Sequence, residues 1–285
     1  MDEDPSLLVV VFDASQGAWA AKDALAAQGS TVGTFQGTLE AMMVFLQSYL
    51  LMHRRNDIAV VACGEAGSRM VFPTPAIEKD NVSLATGGVS SKRVQSCIVD
   101  GLRELMSASA CGTASVQPAV SSKAPIAKAL SQALCFTHRK ITENPSVQTR
   151  LLVVQAGPDA PESYNAVMNC IFSAQKAQIP VDCLCVGPDS VFMQQAADVT
   201  GGVYCHVQEP NVLQQLLTLI LPSQACRKYL RTKGQETVDF RAACFCHRRL
   251  IEIAYVCSVC LSVFCEFSPI CATCGTRAVP KLLTT

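Results

Sequence analysis

The chain has 285 residues, 49% of them apolar and 16% charged, with 23 Lys+Arg balanced by 23 Asp+Glu and with 16 Cys. This excludes a disordered or charge-dominated chain, and the length suffices for one large domain plus a small one. The zero net charge conceals an asymmetry, because residues 223–285 carry nine basic and four acidic side chains and residues 1–222 carry fourteen and nineteen; opposite charge on two segments supports two domains and argues against a chain-wide nucleic-acid surface.

Met1-Asp2-Glu3-Asp4-Pro5 is acidic and has no basic segment ahead of an apolar one, so no secretory signal and a reducing compartment are expected. The longest apolar runs fall far short of the roughly 18 residues that argue a membrane span. Leu7-Leu8-Val9-Val10-Val11-Phe12, closed by Asp13, is the pattern of a parallel strand buried on both faces. No period is visible over the next 25 or so residues, which read as a loop. From Thr38, Leu39, Met42, Met43, Leu46, Tyr49 and Leu50 recur at helical spacing up to His53, predicting an amphipathic helix. Residues 58–63 read as a second buried strand, and 70–72, stopped by Pro73 and Pro75, as a short edge strand.

Residues 74–91 read as loop. Val94, Ile98, Leu102, Leu105 and Met106 form one apolar helical face, and the Ser/Ala/Gly-rich stretch 107–123 then reads as a flexible loop. Pro125 suits the first turn of a helix to Arg139. A regular alternation follows: strand 151–155, helix 161–177, strand 181–186, helix 190–199, strand 203–206, helix 211–221. Parallel strands need crossover helices, so residues 1–222 are expected to form an α/β domain with a doubly wound, mostly parallel sheet. A basic linker over 223–241 and a Cys-rich module over 242–285 complete the expected organisation.

The strongest chemical signal is in that module: Cys244-x-Cys246-His247, then Cys257-x-x-Cys260, Cys265 and Cys271-x-x-Cys274. Each CxxC turn aims two thiolates at one tetrahedral ion, and four soft sulfurs select Zn²⁺ or an iron–sulfur centre. A segment this short cannot bury a core, so a metal would supply its folding energy. Cys257, Cys260, Cys271 and Cys274 make one closed four-cysteine zinc site, without the open position that hydrolytic chemistry needs. Cys244, Cys246, His247 and Cys265 remain as candidate ligands of a second zinc. A cross-braced arrangement would pair the first group with the third, and because the third offers only Cys265 that site reads as incomplete. The other nine cysteines are scattered and read as small buried hydrophobes.

At the end of the first strand, Asp13-Ala14-Ser15-Gln16-Gly17 approaches the DxSxS magnesium loop of von Willebrand A domains. Gly17 removes the second hydroxyl, Ala156-Gly157 stands where an Asp is needed, and Val120 takes the Thr position. Asp13 and Ser15 therefore read as remnants of a degenerate, empty magnesium site that now cap or turn the loop. His53 and His138 read as helix-terminal cations, and Gly201-Gly202 as a tight turn rather than a phosphate cradle. Arg227, Lys228, Arg231, Lys233, Arg241, Arg248 and Arg249 form a basic stretch that is either a solvated linker or a contact for nucleic acid or an acidic partner. No GxxxxGK[ST], GxSxG or HExxH motif is present.

Taken together, residues 239–265, which hold Cys244-Phe245-Cys246-His247-Arg248-Arg249 and Cys257-Ser258-Val259-Cys260, with Phe267-Ser268-Pro269-Ile270-Cys271-Ala272-Thr273-Cys274 after them, closely resemble the smaller von Willebrand-A, zinc-finger subunits of general transcription factor IIH (TFIIH). Asn169-Cys170-Ile171-Phe172-Ser173-Ala174-Gln175-Lys176 and Asp198-Val199-Thr200-Gly201-Gly202-Val203-Tyr204 resemble the same family. The resemblance implies a non-catalytic core component in transcription initiation and nucleotide excision repair, a nuclear location, and a four-cysteine zinc finger at Cys257, Cys260, Cys271 and Cys274. It also implies pairing with the larger von Willebrand-A/RING subunit, which supports the helicase subunits. A mean hydropathy of +0.27 suits a subunit that hides surface in permanent interfaces. The alternatives are a RING-type ubiquitin ligase and a nucleic-acid-binding zinc ribbon.

Overall fold

The apolar run near the N-terminus forms β1 (Ser6–Asp13), the spine of a six-stranded sheet. The computed structural model describes residues 5–27, 33–74, 91–111, 126–160, 163–207, 211–227, 229–230, 241–244, 246–247, 250–259 and 262–277. β2 (Asn56–Gly64) and β4 (Gln148–Gln155) flank β1 in parallel, with Val10 opposite Val60 on one side and Leu152 on the other. β5 (Val181–Cys185) and β6 (Tyr204–His206) extend the sheet in parallel, and β3 (Gly67–Phe72) closes the other edge antiparallel to β2. The order β3-β2-β1-β4-β5-β6 is the expected doubly wound, mostly parallel sheet, which reverses its winding between β1 and β4.

Alternate residues of each strand feed two cores, which is why the strands are apolar without a period. Leu8, Val10 and Phe12 pack with α2 (Phe35–Met52) and α3 (Ser91–Cys111) on one face. Leu7, Val9 and Val11 meet α4 (Ile126–Glu143), α5 (Tyr164–Lys176) and α6 (Val191–Thr200) on the other. Helix ends carry ordinary chemistry: Thr34 and Ser190 accept backbone N–H bonds as N-caps of α2 and α6. Gly201 ends α6 with φ of 71°, the left-handed conformation that favours glycine. Gly202 lies so close to β5 that a Cβ would stand 2.0 Å from the Val181 carbonyl oxygen; the pair is the tight turn expected.

Several expectations need correction. The region read as a loop after β1 contains α1 (Gln16–Ala27). Its alanines favour a helix but supply no apolar period, and it is anchored by Trp19 and by buried Lys22, which donates to the Val186 carbonyl. Trp19 stacks on Phe12 at 6.1 Å, meets Phe35 edge-on at 5.3 Å, and donates its indole N–H to the Asp13 carbonyl at 2.7 Å. α3 runs on to Cys111, into the stretch expected to be loop, while 75–90 and 112–125 lie outside the described residues. The last helix of the domain is not uniform, since α7 (Val212–Gln215) passes into a π-helical turn, Leu216–Ile220.

The first residues after that turn are not a solvated linker. α8 (Gln224–Arg227) ends on Arg227, which donates to both oxygens of Asp182 at 2.6 Å. Asp182, fully buried in β5, also accepts from Val203 N at 2.9 Å and lies 3.8 Å from Arg150 of β4. Arg150 donates to the carbonyls of Ile220, Leu221 and Pro222, and Arg227 to those of Ile220 and Pro222. Two guanidinium groups thus satisfy the C-terminal carbonyls of the preceding helix, and one carboxylate offsets their charge. Burial pulls the Arg150 guanidinium below its usual range, opposed by Asp182.

The C-terminal segment has little core. Its regular structure is two short antiparallel pairs, β7 (Ala242–Ala243) with β8 (Leu250–Ile251) and β9 (Tyr255–Val256) with β10 (Val263–Phe264), plus a bridge between Ile270 and Arg277. Among its described residues only Cys244, Ser262, Phe264 and Cys271 are buried.

Candidate metal centre

Both knuckles of the Cys-rich segment close by the same backbone rule. Cys257 N donates to Ser262 O at 2.9 Å, and Cys271 N donates to Thr276 O, also at 2.9 Å. In each case the first cysteine of a CxxC bonds the residue five positions on, and in the second knuckle the turn brings the sulfurs of Cys271 and Cys274 together. Gly275 supports the second knuckle with φ of 71° and an N–H bond to the Cys271 carbonyl at 2.9 Å. The sulfurs of Cys257, Cys271 and Cys274 lie within 4.8 Å of one another, with Cys257 and Cys274 3.7 Å apart. Two sulfurs on one tetrahedral zinc stand about 3.8 Å apart, so this donor set fits the ion. Cys260, the fourth ligand expected, lies outside the described residues.

The second set also converges. Cys244 Sγ, Cys246 Sγ, His247 and Cys265 Sγ lie within 4.8 Å of one another. Cys265 Sγ is 3.3 Å from Cys246 Sγ and 3.1 Å from His247 Nδ1. Cys265, the one donor of the third group, lies beside the three candidate donors of the first, which come from one short segment with a turn at 246–247. The neighbour that sequence reasoning missed is Thr276, whose Oγ1 lies 3.1 Å from Cys274 Sγ; only the fold of the knuckle brings it there.

At the other candidate site, Asp13 and Ser15 are together and both buried. Asp13 Oδ1 accepts from Ser15 N at 3.0 Å, and Oδ2 from Ala156 N at 3.0 Å and Gly157 N at 2.9 Å. The residues that replace the expected Asp thus donate to the carboxylate through their amides. Gly17 N donates to Glu65 Oε1 at 3.2 Å. Ser15 Oγ is buried without a hydrogen-bond partner, and Val120 lies outside the described residues. Sequence reasoning also missed Gln155 and Asp159 beside this loop: Gln155 Nε2 donates to Gly157 O and Asp159 Oδ1, and Asp159 accepts from Ser190 Oγ at 2.5 Å and from Phe192 N.

Of the scattered cysteines, Cys63, Cys183, Cys185 and Cys205 are buried as expected, Cys97 and Cys170 are half-buried, and Cys135 and Cys226 are exposed. His138 lies inside α4 and is exposed, while His53 follows the last residue of α2. In the basic stretch Arg241 pairs with Glu252 at 3.5 Å; Lys228, Arg231, Lys233, Arg248 and Arg249 lie outside the described residues.

Fold and site define a doubly wound, mostly parallel α/β domain, followed by a Cys/His module whose side chains converge as candidate metal donors. The family model described as transcription factor Tfb4 matches residues 5–275. The chain belongs to the Tfb4 family. The general transcription and DNA repair factor IIH subunit tfb4 of Schizosaccharomyces pombe is 35% identical over 282 residues, covering 97% of this chain and 90% of that protein. The general transcription factor IIH subunit 3 of Dictyostelium discoideum is 37% identical over 262 residues, covering 87% and 69%. The subunit TFB4 of Arabidopsis thaliana is 32% identical, covering 96% and 89%. The crystal structure of the TFIIH p34 N-terminal domain superposes with a TM-score of 0.63 at 20% identity, covering 76% of this chain and 98% of that one. That likeness concerns the fold.

Proposed function

We propose that this chain is a non-catalytic structural and interaction subunit of the TFIIH core, acting in RNA polymerase II transcription initiation and nucleotide excision repair. The observation that carries this reading is the match to the Tfb4 family over residues 5–275, which spans both the sheet and the Cys-rich module. The relatives' names supply transcription and DNA repair. The division proposed is an α/β domain over 1–222, a basic linker over 223–241 whose first residues pack back on that domain through Arg227, and a zinc module over 242–285. The sheet domain pairs with the larger von Willebrand-A/RING subunit, which supports the helicases, and the complex works in the nucleus.

Zinc is held by Cys257, Cys260, Cys271 and Cys274, where it supplies the folding energy that the small core does not. The loop after β1 carries no magnesium. Both oxygens of Asp13 already accept backbone N–H bonds, and Ser15 Oγ alone is too few oxygens for a hard cation. In a magnesium titration followed by calorimetry, no heat of binding is expected; tight binding would overturn this part of the reading.

The test of function is co-purification of the tagged full chain, and of a Cys257→Ser variant, from cells that express it. The full chain is expected to recover transcription and repair subunits and the variant fewer of them. Recovery of none by the full chain would refute the assignment. The interleaved order of the cysteine groups is the one feature that favours a RING-type ubiquitin ligase. Family membership outweighs it, and the purified chain is expected not to discharge a loaded ubiquitin-conjugating enzyme.

A further inference from the structure

Beyond the subunit role and the four-cysteine zinc, we infer that Cys244, Cys246, His247 and Cys265 form a second zinc centre that cross-braces the C-terminal module. Three thiols and one imidazole converge to within 4.8 Å, and three thiolates with one histidine are a common structural zinc set. The Cys246–Cys265 separation of 3.3 Å is far from the about 2.05 Å of a disulfide. His247 Nδ1, at 3.1 Å from Cys265 Sγ, is a donor that a disulfide would not require.

Burial points the same way. The module's few buried side chains include Cys244 from this set and Cys271 from the knuckle set, one in each cluster, with Phe264 and Ser262 between them in sequence. A segment with so little apolar burial depends on its metals for folding, and a single ion at the knuckles would leave Cys244, Cys246 and His247, which flank the two-residue pair of β7 with β8, outside any metal centre. The ligand order explains how two ions act together. Donors alternate along the chain: 244, 246 and 247 for this centre, 257 and 260 for the knuckles, 265 for this centre, then 271 and 274. Each ion therefore closes a loop that contains part of the other's donor set, so release of one loosens the other.

The experiment is metal analysis and zinc K-edge absorption of the full chain, purified on its own and without chelator. Two zinc ions per chain are expected. The average shell should fit seven sulfurs and one nitrogen over the two ions, the seven cysteines and His247 of the module. His247→Cys should keep two ions and convert the shell to sulfur alone, a change that needs no loss of fold. Cys265→Ser should lower the zinc content at least twofold. One zinc per chain with an all-sulfur shell in the unmodified protein would overturn the second centre, as would a Cys246–Cys265 disulfide found by non-reducing peptide mapping. Either result would leave the proposed function standing if the same chain still recovered transcription and repair subunits.

Discussion

Asp182 shows how much one residue can decide without any motif to announce it. The sequence around it, Val181-Asp182-Cys183-Leu184-Cys185, reads as a buried strand with a polar interruption. In the structure that carboxylate is the counter-charge for Arg227 and Arg150. Removing one partner of such a cluster strands two buried cations, so Asp182→Ala should destabilise the full chain by about 3–5 kcal/mol, measurable by urea denaturation. Arg227→Ala should cost less, because Arg150 remains near Asp182 and still holds the carbonyls of residues 220–222. At the same scale, burial raises the thiols of Cys63 and Cys183 well above their ordinary range and raises that of Cys185 as well. At neutral pH these three should resist iodoacetamide in the folded protein while exposed Cys135 and Cys226 are alkylated. Mass spectrometry of labelled peptides separates the two groups.

Elements were legible in the sequence where a period or an uninterrupted apolar run existed. The parallel strands, α2, and the helices between β4 and β6 fall close to where their spacing puts them. α1 was illegible because its alanines fit a helix without marking a face, and its contacts are made with distant residues: Trp19 with Phe12 and Phe35, seven and sixteen positions away, and Lys22 with the Val186 carbonyl. Trp19→Ala should therefore release α1 from Phe12 and Phe35 at a cost of about 3–5 kcal/mol, and protease cleavage within Gln16–Ala27 should rise with it. The candidate metal donors were legible as well, since a CxxC knuckle is a local motif whose closure spans five residues. The completeness of the second donor set was not legible, because it depends on how a turn at 246–247 and the chain at 265 meet across 18 residues.

At the scale of the whole molecule the two parts draw stability from different sources. The sheet domain has two apolar cores, one on each face, whereas the module has four buried side chains among its described residues. Chelation of zinc with EDTA should therefore unfold the module and spare the sheet. The expected outcome is a far-UV circular dichroism spectrum that keeps its helical signal, together with rapid proteolysis after residue 230. Acidification should act in the same direction on the module, since its thiolates must be deprotonated to hold the metal.

The sequence by itself determined the class of fold, the place of the Cys-rich module and the candidate metal donors within it, since all three follow from local periodicity and local spacing. It also determined that the loop after β1 had lost its magnesium-binding pattern, because missing hydroxyls and carboxylates can be read residue by residue. Only the tertiary structure decided what replaced that pattern: three backbone amides from two loops close on Asp13. It likewise decided that Arg227 belongs to the sheet domain's buried charge cluster and that Cys244, Cys246, His247 and Cys265 meet at one point. The physical reason is common to all three. A backbone amide, a guanidinium and a thiol are indifferent to their neighbours in sequence, and their partners are set by which loops the packed sheet and the folded module bring within hydrogen-bonding or coordination distance.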